Sequence, residues 1–175
     1  MCGIVGVVGS TDTTSILLEG LKRLEYRGYD SAGIAILGPE GQTIVKEKGK
    51  IRNLEAAIDM DVVKGTCGIG HTRWATHGAP NKINSHPHLA GKVALVHNGI
   101  IENHTALKVQ LTKNGHTFLS DTDTEVLAHL IEDFYDGDLV LAVQKALGVV
   151  DGAFGIAVTH VDEPDLIVGA RRGSR

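Results

Sequence analysis

Residues 1–10 read MCGIVGVVGS. Gly3 to Val8 is a short run of small and β-branched residues, which predicts a buried strand. In front of it stands Cys2, a thiol at a chain end. The stretch lacks the basic leading segment and long apolar core of a secretory signal. Myristoylation needs glycine at position 2, and here it is cysteine. A residue as small as cysteine permits trimming of the initiator methionine, which would leave Cys2 with a free α-amine beside its own thiol. Such an amine titrates at roughly 7.7–8.0, so near neutral pH it can take the thiol proton directly or through a water. One residue then supplies both nucleophile and base, as an N-terminal threonine does. The competing reading makes Cys2 only the small apolar start of a strand.

The bulk properties narrow the class. The chain has 175 residues, a one-domain length, and 42% hydrophobic content is enough for a packed core. A net charge of −4 argues against a nucleic-acid groove. No apolar run approaches a membrane-spanning length. Cys2 and Cys67 are the only cysteines, which excludes a disulfide framework and points to a reducing, cytoplasmic compartment. Cys67, in an apolar run, reads as a small core residue.

Outward from the first strand, the pattern predicts blocks of helices and strands. STDTTSILLEGLKRLEYRG puts Leu17, Leu18, Leu21 and Leu24 on one helical face and ends at Gly28. AGIAIL and TIVKEK form a hairpin around Gly38 to Gly41. IRNLEAAI is a short helix. TCGIGHTRW is a strand entering a loop rich in Gly, Pro and Asn. KVALVHNG is a strand that ends in an Asn-Gly turn. ENHTALKVQLTKNG is a helix stopped at Asn114-Gly115. SDTDTEVLAHLIEDF carries a capping box, Thr122 to Glu125. DLVLAVQKAL is a further helix, and GAFGIAVTH and DLIVGAR pair as a last hairpin. Elements in blocks indicate an α+β fold. A final strand with nothing after it suggests a domain truncated at its C-terminus.

Three further groups bear on chemistry. Thiol attack on an amide creates an oxyanion, and the Asn98 side chain with the Gly99 backbone N–H would supply two donors for it; an ordinary turn explains the same pair. Arg73 can hold a carboxylate through two parallel hydrogen bonds, with Trp74 beside it to close over a small substrate. Asp123, in the first turn of its helix, can take an ammonium group. Arg73 and Asp123 together would grip an α-amino acid by both ends. Nine histidines are present, with His71, His77, His86, His88, His97 and His104 in one stretch. They lack the spacing of a known metal motif, and read as loop and turn residues with local hydrogen bonds. A zinc hydrolase built on the His71–His104 cluster is the alternative that would use them.

MCGIVG, LEYRGYDSAGIA, GHTRWATHG, HPH, VHNGIIENH and SDTDTEV together resemble the glutaminase domain of the glutamine–fructose-6-phosphate aminotransferase family. These are type-2 glutamine amidotransferases of the N-terminal-nucleophile class. The likeness runs over nearly the whole chain. It implies an αββα sandwich, two antiparallel sheets between helical layers, here incomplete at the C-terminus, with residues 1–175 forming a truncated glutaminase domain. It implies Cys2 as nucleophile after loss of Met1, and Asn98 and Gly99 as the oxyanion hole. Arg73 and Asp123 would bind glutamine, Trp74, Thr76 and His77 would close over it, and Arg27 and Gly28 would support the nucleophile. It requires no cofactor and no metal. The expected activity is hydrolysis of L-glutamine to glutamate and ammonia. The partner would be an isomerase portion, absent here, that takes fructose 6-phosphate, and any homo-oligomer would form through that portion. Neither nucleic acid nor membrane is a partner. An inert, unprocessed fragment of the same enzyme is the other reading.

Overall fold

A computed structural model describes residues 2–75 and 78–173. Met1, Thr76, His77, Ser174 and Arg175 lie outside the described residues. Eight strands form two antiparallel four-stranded sheets among these residues. In the first sheet the order is β1 (Gly3–Val8), β4 (Cys67–Arg73), β2 (Ser31–Gly38), β3 (Gly41–Lys48). In the second it is β5 (His88–Ala90), β6 (Val93–Ile101), β7 (Gly152–His160), β8 (Val168–Arg172).

Each sheet is covered by helices on one face and by the other sheet on the other. Helix α1 (Thr13–Arg23) and α2 (Ile51–Ala57) lie on the first sheet, where Leu17, Leu21, Ile34, Ile36, Ile51 and Leu54 share a core. Gly68 and Gly70 of β4 leave room for Leu17 and Leu21, since a Cβ at either would come within 3.0 or 3.2 Å of a leucine methyl. Helices α3 (His104–Lys113), α4 (Asp123–Phe134) and α5 (Leu139–Val149) cover the second sheet around Leu95, Leu127, Ile131 and Phe154. Between the sheets lies a thin layer of Ala35, Ile69, Ala94, Val96 and Ala157, flanked by Ile4, Ile44 and Ile167. This is the expected αββα sandwich. Alternation along each strand assigns one set of side chains to the helices and the other to this layer.

Most predicted elements are present, with four departures. Helix α1 stops at Arg23, and the chain tightens into a 3₁₀ turn, Glu25–Arg27, before Gly28. β5 is an added strand: the predicted loop ends at His88, and no element is expected at Leu89 and Ala90. It is a strand because its three residues pair with Leu95, Ala94 and Val93. The capping box is half formed: Thr122 Oγ1 accepts the Glu125 amide at 3.3 Å, but the Glu125 carboxylate turns to the Leu119 and Ser120 amides at 2.8 and 2.7 Å. Asn98-Gly99 is not a turn. β6 runs on to Ile101, with Asn98 opposite Gly155 and Gly99 opposite Phe154. Gly99 has φ +124°, a glycine kink that lets a strand change direction without ending.

Candidate active site

The interlayer residues change from apolar to polar toward one end of the sandwich. Ile69 is followed two residues later by His71 and then Arg73 on β4; Ala94 and Val96 are followed by Asn98 on β6. Ile4 of β1 is preceded by Cys2 in the same alternation. A cavity of about 230 Å³ opens there, lined by Cys2, Arg73, Trp74, Gly99 and Asp123 among others.

Cys2 is partly buried, and its Sγ accepts a hydrogen bond from the Trp74 amide at 3.1 Å. The Trp74–Ala75 backbone is held in turn by Asp30, whose carboxylate accepts from the Ala75 amide at 2.5 Å. Trp74 is 56% exposed. Its ring passes beside Gly28, where an added Cβ would lie 3.5 Å from it at φ +75°. Arg27 ends the 3₁₀ turn just before that glycine.

Asn98 bridges the two sheets. Its Nδ2 donates to the Cys2 carbonyl at 3.4 Å and its Oδ1 faces His71 Nε2 at 2.7 Å. Arg73 is 3% exposed and donates to the Gly78 and Ala79 carbonyls at 3.2 and 3.4 Å. Burial pulls its guanidinium below the ordinary value, while the charges of Asp30, Cys2 and Asp123 oppose the pull. Asp123 begins α4 and accepts from the Ile101 amide at 2.8 Å through Oδ2. A cation and an anion thus line one cavity with the thiol. Thr76 and His77 fall outside the described residues.

Four of the histidines depart from the local-bond reading, while His104 keeps it, its Nδ1 lying 2.7 Å from the Ile101 carbonyl oxygen; His77 lies outside the described residues. His71, His86, His88 and His97 are all buried. The His71 and His86 rings stack at 4.1 Å, and His86 meets His88 edge-on at 4.9 Å. Residues 71, 86 and 97 come from separate segments, and the packing of one sheet against the other brings them together. The His97 amide donates to His86 Nδ1 at 3.3 Å. A neutral His86 therefore carries its proton on Nε2, which donates to Thr124 Oγ1 at 3.2 Å, and Thr124 lies 2.9 Å from His97 Nδ1. Among the described residues, no group of three His, Cys, Asp or Glu side chains is disposed to hold a metal ion.

Residues 71–173 match the family described as the glutamine amidotransferase domain. The chain belongs to the glutamine amidotransferase domain family. It is 55% identical over 174 residues to a glutamine–fructose-6-phosphate aminotransferase (isomerizing) of Caldanaerobacter subterraneus subsp. tengcongensis, covering 98% of this chain and 29% of the relative. Its identity to the enzyme of that name from Thermus thermophilus is 54% over 169 residues, covering 95% and 28%. The amidotransferase domain thus spans under a third of the length of these curated relatives. Among solved structures, the glutamine phosphoribosylpyrophosphate amidotransferase of B. subtilis superimposes with a TM-score of 0.82 at 30% identity, over 98% of this chain and 37% of that one. An allosteric regulatory enzyme of purine biosynthesis gives 0.79 at 33% identity, over 91% and 35%. The first of these neighbours is by name an amidotransferase, and both share the two-sheet sandwich that the fold reading expected. No helix among the described residues is long and apolar enough to cross a membrane.

Sequence reasoning about the amidotransferase domain passed over Asp30 and Thr124, and read His71 and His86 only as locally bonded loop residues or conceivable metal ligands. The available signal was the period of two in Ile69-x-His71-x-Arg73, which puts a histidine on the same buried face as an isoleucine. Burial pushes both His71 and His88 down to about 3; at His71 the bond to Asn98 resists, and at His88 the Lys46 charge adds to the push. His86 is driven well below the ordinary range, first by burial and then by its neighbouring rings. A histidine whose folded value is depressed stabilises the fold fully above its unfolded value, about 6.5, and loses that contribution as pH falls toward the folded value. The melting temperature is therefore expected to fall by ~5 °C or more between pH 6.5 and 5. A thermal melt that is flat across this range would contradict neutral burial of these rings.

Proposed function

We propose that this amidotransferase domain hydrolyses the side-chain amide of L-glutamine to glutamate and ammonia, with Cys2 as nucleophile once Met1 is removed. The observation that carries this reading is the convergence of Cys2, Arg73, Asp123 and Gly99 on one cavity. A small substrate bearing both a carboxylate and an ammonium fits the Arg73 and Asp123 pair. The Cys2 amine takes the thiol proton. Sulfur attacks the amide carbon, and the carbonyl becomes an oxyanion facing Asn98 and Gly99. Collapse expels ammonia, which leaves with the proton, and a thioester remains. Water, deprotonated by the same amine, opens the thioester; glutamate departs and the thiol is restored. In a larger enzyme, as the relatives' name indicates, the ammonia would pass to an isomerase portion that takes fructose 6-phosphate and yields glucosamine 6-phosphate. Such chemistry suits a cytoplasmic enzyme.

The test is glutamine turnover by protein whose N-terminus, read by mass spectrometry, is Cys2. Ammonia and glutamate in equal amounts are expected, and turnover by protein that retains Met1 would overturn the mechanism. The clamp has its own test. Arg73→Lys keeps charge but loses the two-pronged geometry, and Asp123→Asn removes the anion. Both are expected to raise KM by ~10-fold or more. An unchanged KM in correctly folded variants would remove them from the substrate site.

A further inference from the structure

The Asn98 amide can stabilise an oxyanion in only one of its two orientations. Rotated by half a turn about its last bond, it would present oxygen instead of N–H to the Cys2 side and repel the developing charge. The residue that decides between them lies in the other sheet. We infer that His71 is a positioning residue whose Nε2–H locks the Asn98 amide with Nδ2 toward the nucleophile. This rests on the glutamine-hydrolysing reading above.

The argument is one of proton bookkeeping. His71 Nε2 has two neighbours within hydrogen-bond reach, the His97 carbonyl oxygen at 3.1 Å and Asn98 Oδ1 at 2.7 Å. A carbonyl oxygen has no proton to give, so Nε2 must carry one. His71 Nδ1 is buried and has no hydrogen-bond partner among the described residues. A proton placed there would be stranded, and the Nε2 lone pair would face oxygen. Both penalties select the same tautomer. The ring is held in plane by its stack on His86. Burial keeps it neutral down to about 3, so the donor persists throughout the working range without adding a charge. With Nε2–H fixed, only Oδ1 of Asn98 can face it. Nδ2 is then turned to the Cys2 carbonyl, at 3.4 Å.

Two experiments test this. In the unmodified protein, ¹⁵N shifts of the His71 ring should report the Nε2–H tautomer, unchanged from pH 5 to 8. An Nδ1–H tautomer, or titration in that range, would overturn the proposal. In kinetics, His71→Leu should lower kcat by ~10-fold with KM little changed, and should lower it no further when Asn98 is already alanine. His71→Gln, whose terminal amide can again offer an N–H, should recover most of the rate. A penalty of equal size in the Asn98→Ala background, where Asn98→Ala has itself cost rate, would overturn the positioning role and leave the oxyanion role standing. Full kcat in Asn98→Ala would sink the oxyanion reading and this inference with it. If His71→Leu does not fold, the tautomer and the Gln variant decide: a folded Gln variant as slow as Asn98→Ala would overturn it.

Discussion

Glutamine hydrolysis is expected to fall by ~10⁴-fold or more in Cys2→Ala and to persist in Cys67→Ala. The two thiols make a controlled pair, because the chain has no others. Cys2 reaches the cavity and receives the Trp74 amide. Cys67 opens β4 at the far end of that strand, is fully buried, and has its thiol pushed up to about 11 by burial. A thiol held so high is protonated at neutral pH and is a poor nucleophile. Cys67→Ala should cost only about 1 kcal/mol of stability, a shift of ~2–4 °C in melting temperature. Comparing steady-state turnover with a thermal melt separates the cases. A folded Cys67→Ala protein without activity, or an active Cys2→Ala protein, would move the nucleophile elsewhere.

Gly99→Ala should damage both fold and rate. A Cβ at position 99 would lie 2.1 Å from the Ala153 carbonyl oxygen and 2.8 Å from the Phe154 Cα, all backbone of the neighbouring strand. It would also sit at φ +124°, where an L side chain is strained by ~1–3 kcal/mol. Relief requires β6 and β7 to separate, and Asn98 lies on β6 next to the kink. The expected loss is ~3 kcal/mol or more, roughly 6–12 °C in melting temperature. A fall in kcat of ~10²-fold should accompany it, because the proposed oxyanion donors, Asn98 and Gly99, move with the strand. Gly148→Ala is the internal comparison. That glycine lies near the end of α5 with nothing within 4 Å of an added Cβ, so the same methyl should stabilise by ~0.5–1 kcal/mol. Equal melting temperatures for the two variants would show that the kink does not need glycine.

The elements were legible wherever local chemistry decided them. The hairpin from Ser31 to Lys48, the Thr122 cap and the Asn114-Gly115 stop follow from period, cap and turn residues within a few positions of each other. What escaped was decided across the sheets. Nothing local marks His88–Ala90 as a strand until β6 pairs with it. Asn-Gly suits a turn and a strand kink equally, and only the β7 partner chooses between them. Glu125 abandoned its box because Leu119 and Ser120 bring amides to it; although burial would raise its carboxyl, hydrogen bonds from His129 and from those residues hold it at about 2. The site divides in the same way. Cys2, Arg73, Asn98 and Asp123 announce themselves by residue type and position. His71, His86 and Thr124 lie inside the quoted motifs, yet residue type alone gives them no role, since a histidine that would act through a neighbour's orientation has no chemistry of its own to mark it.

The layer between the sheets is thin because three of its members are alanines, and the site inherits that thinness. Cys2 and Arg73 travel with one sheet, Asn98 and Gly99 with the other, so the gap between the Cys2 sulfur and the proposed oxyanion donors is a caliper reading of sheet separation. Bulk added at Ala35, Ala94 or Ala157 would open the jaws at a distance without touching any reacting group. Bulk gained at one of these positions would need bulk lost at its opposite for the two sheets to keep their spacing. The tolerance of the proposed chemistry is therefore written in residues that line no part of the cavity.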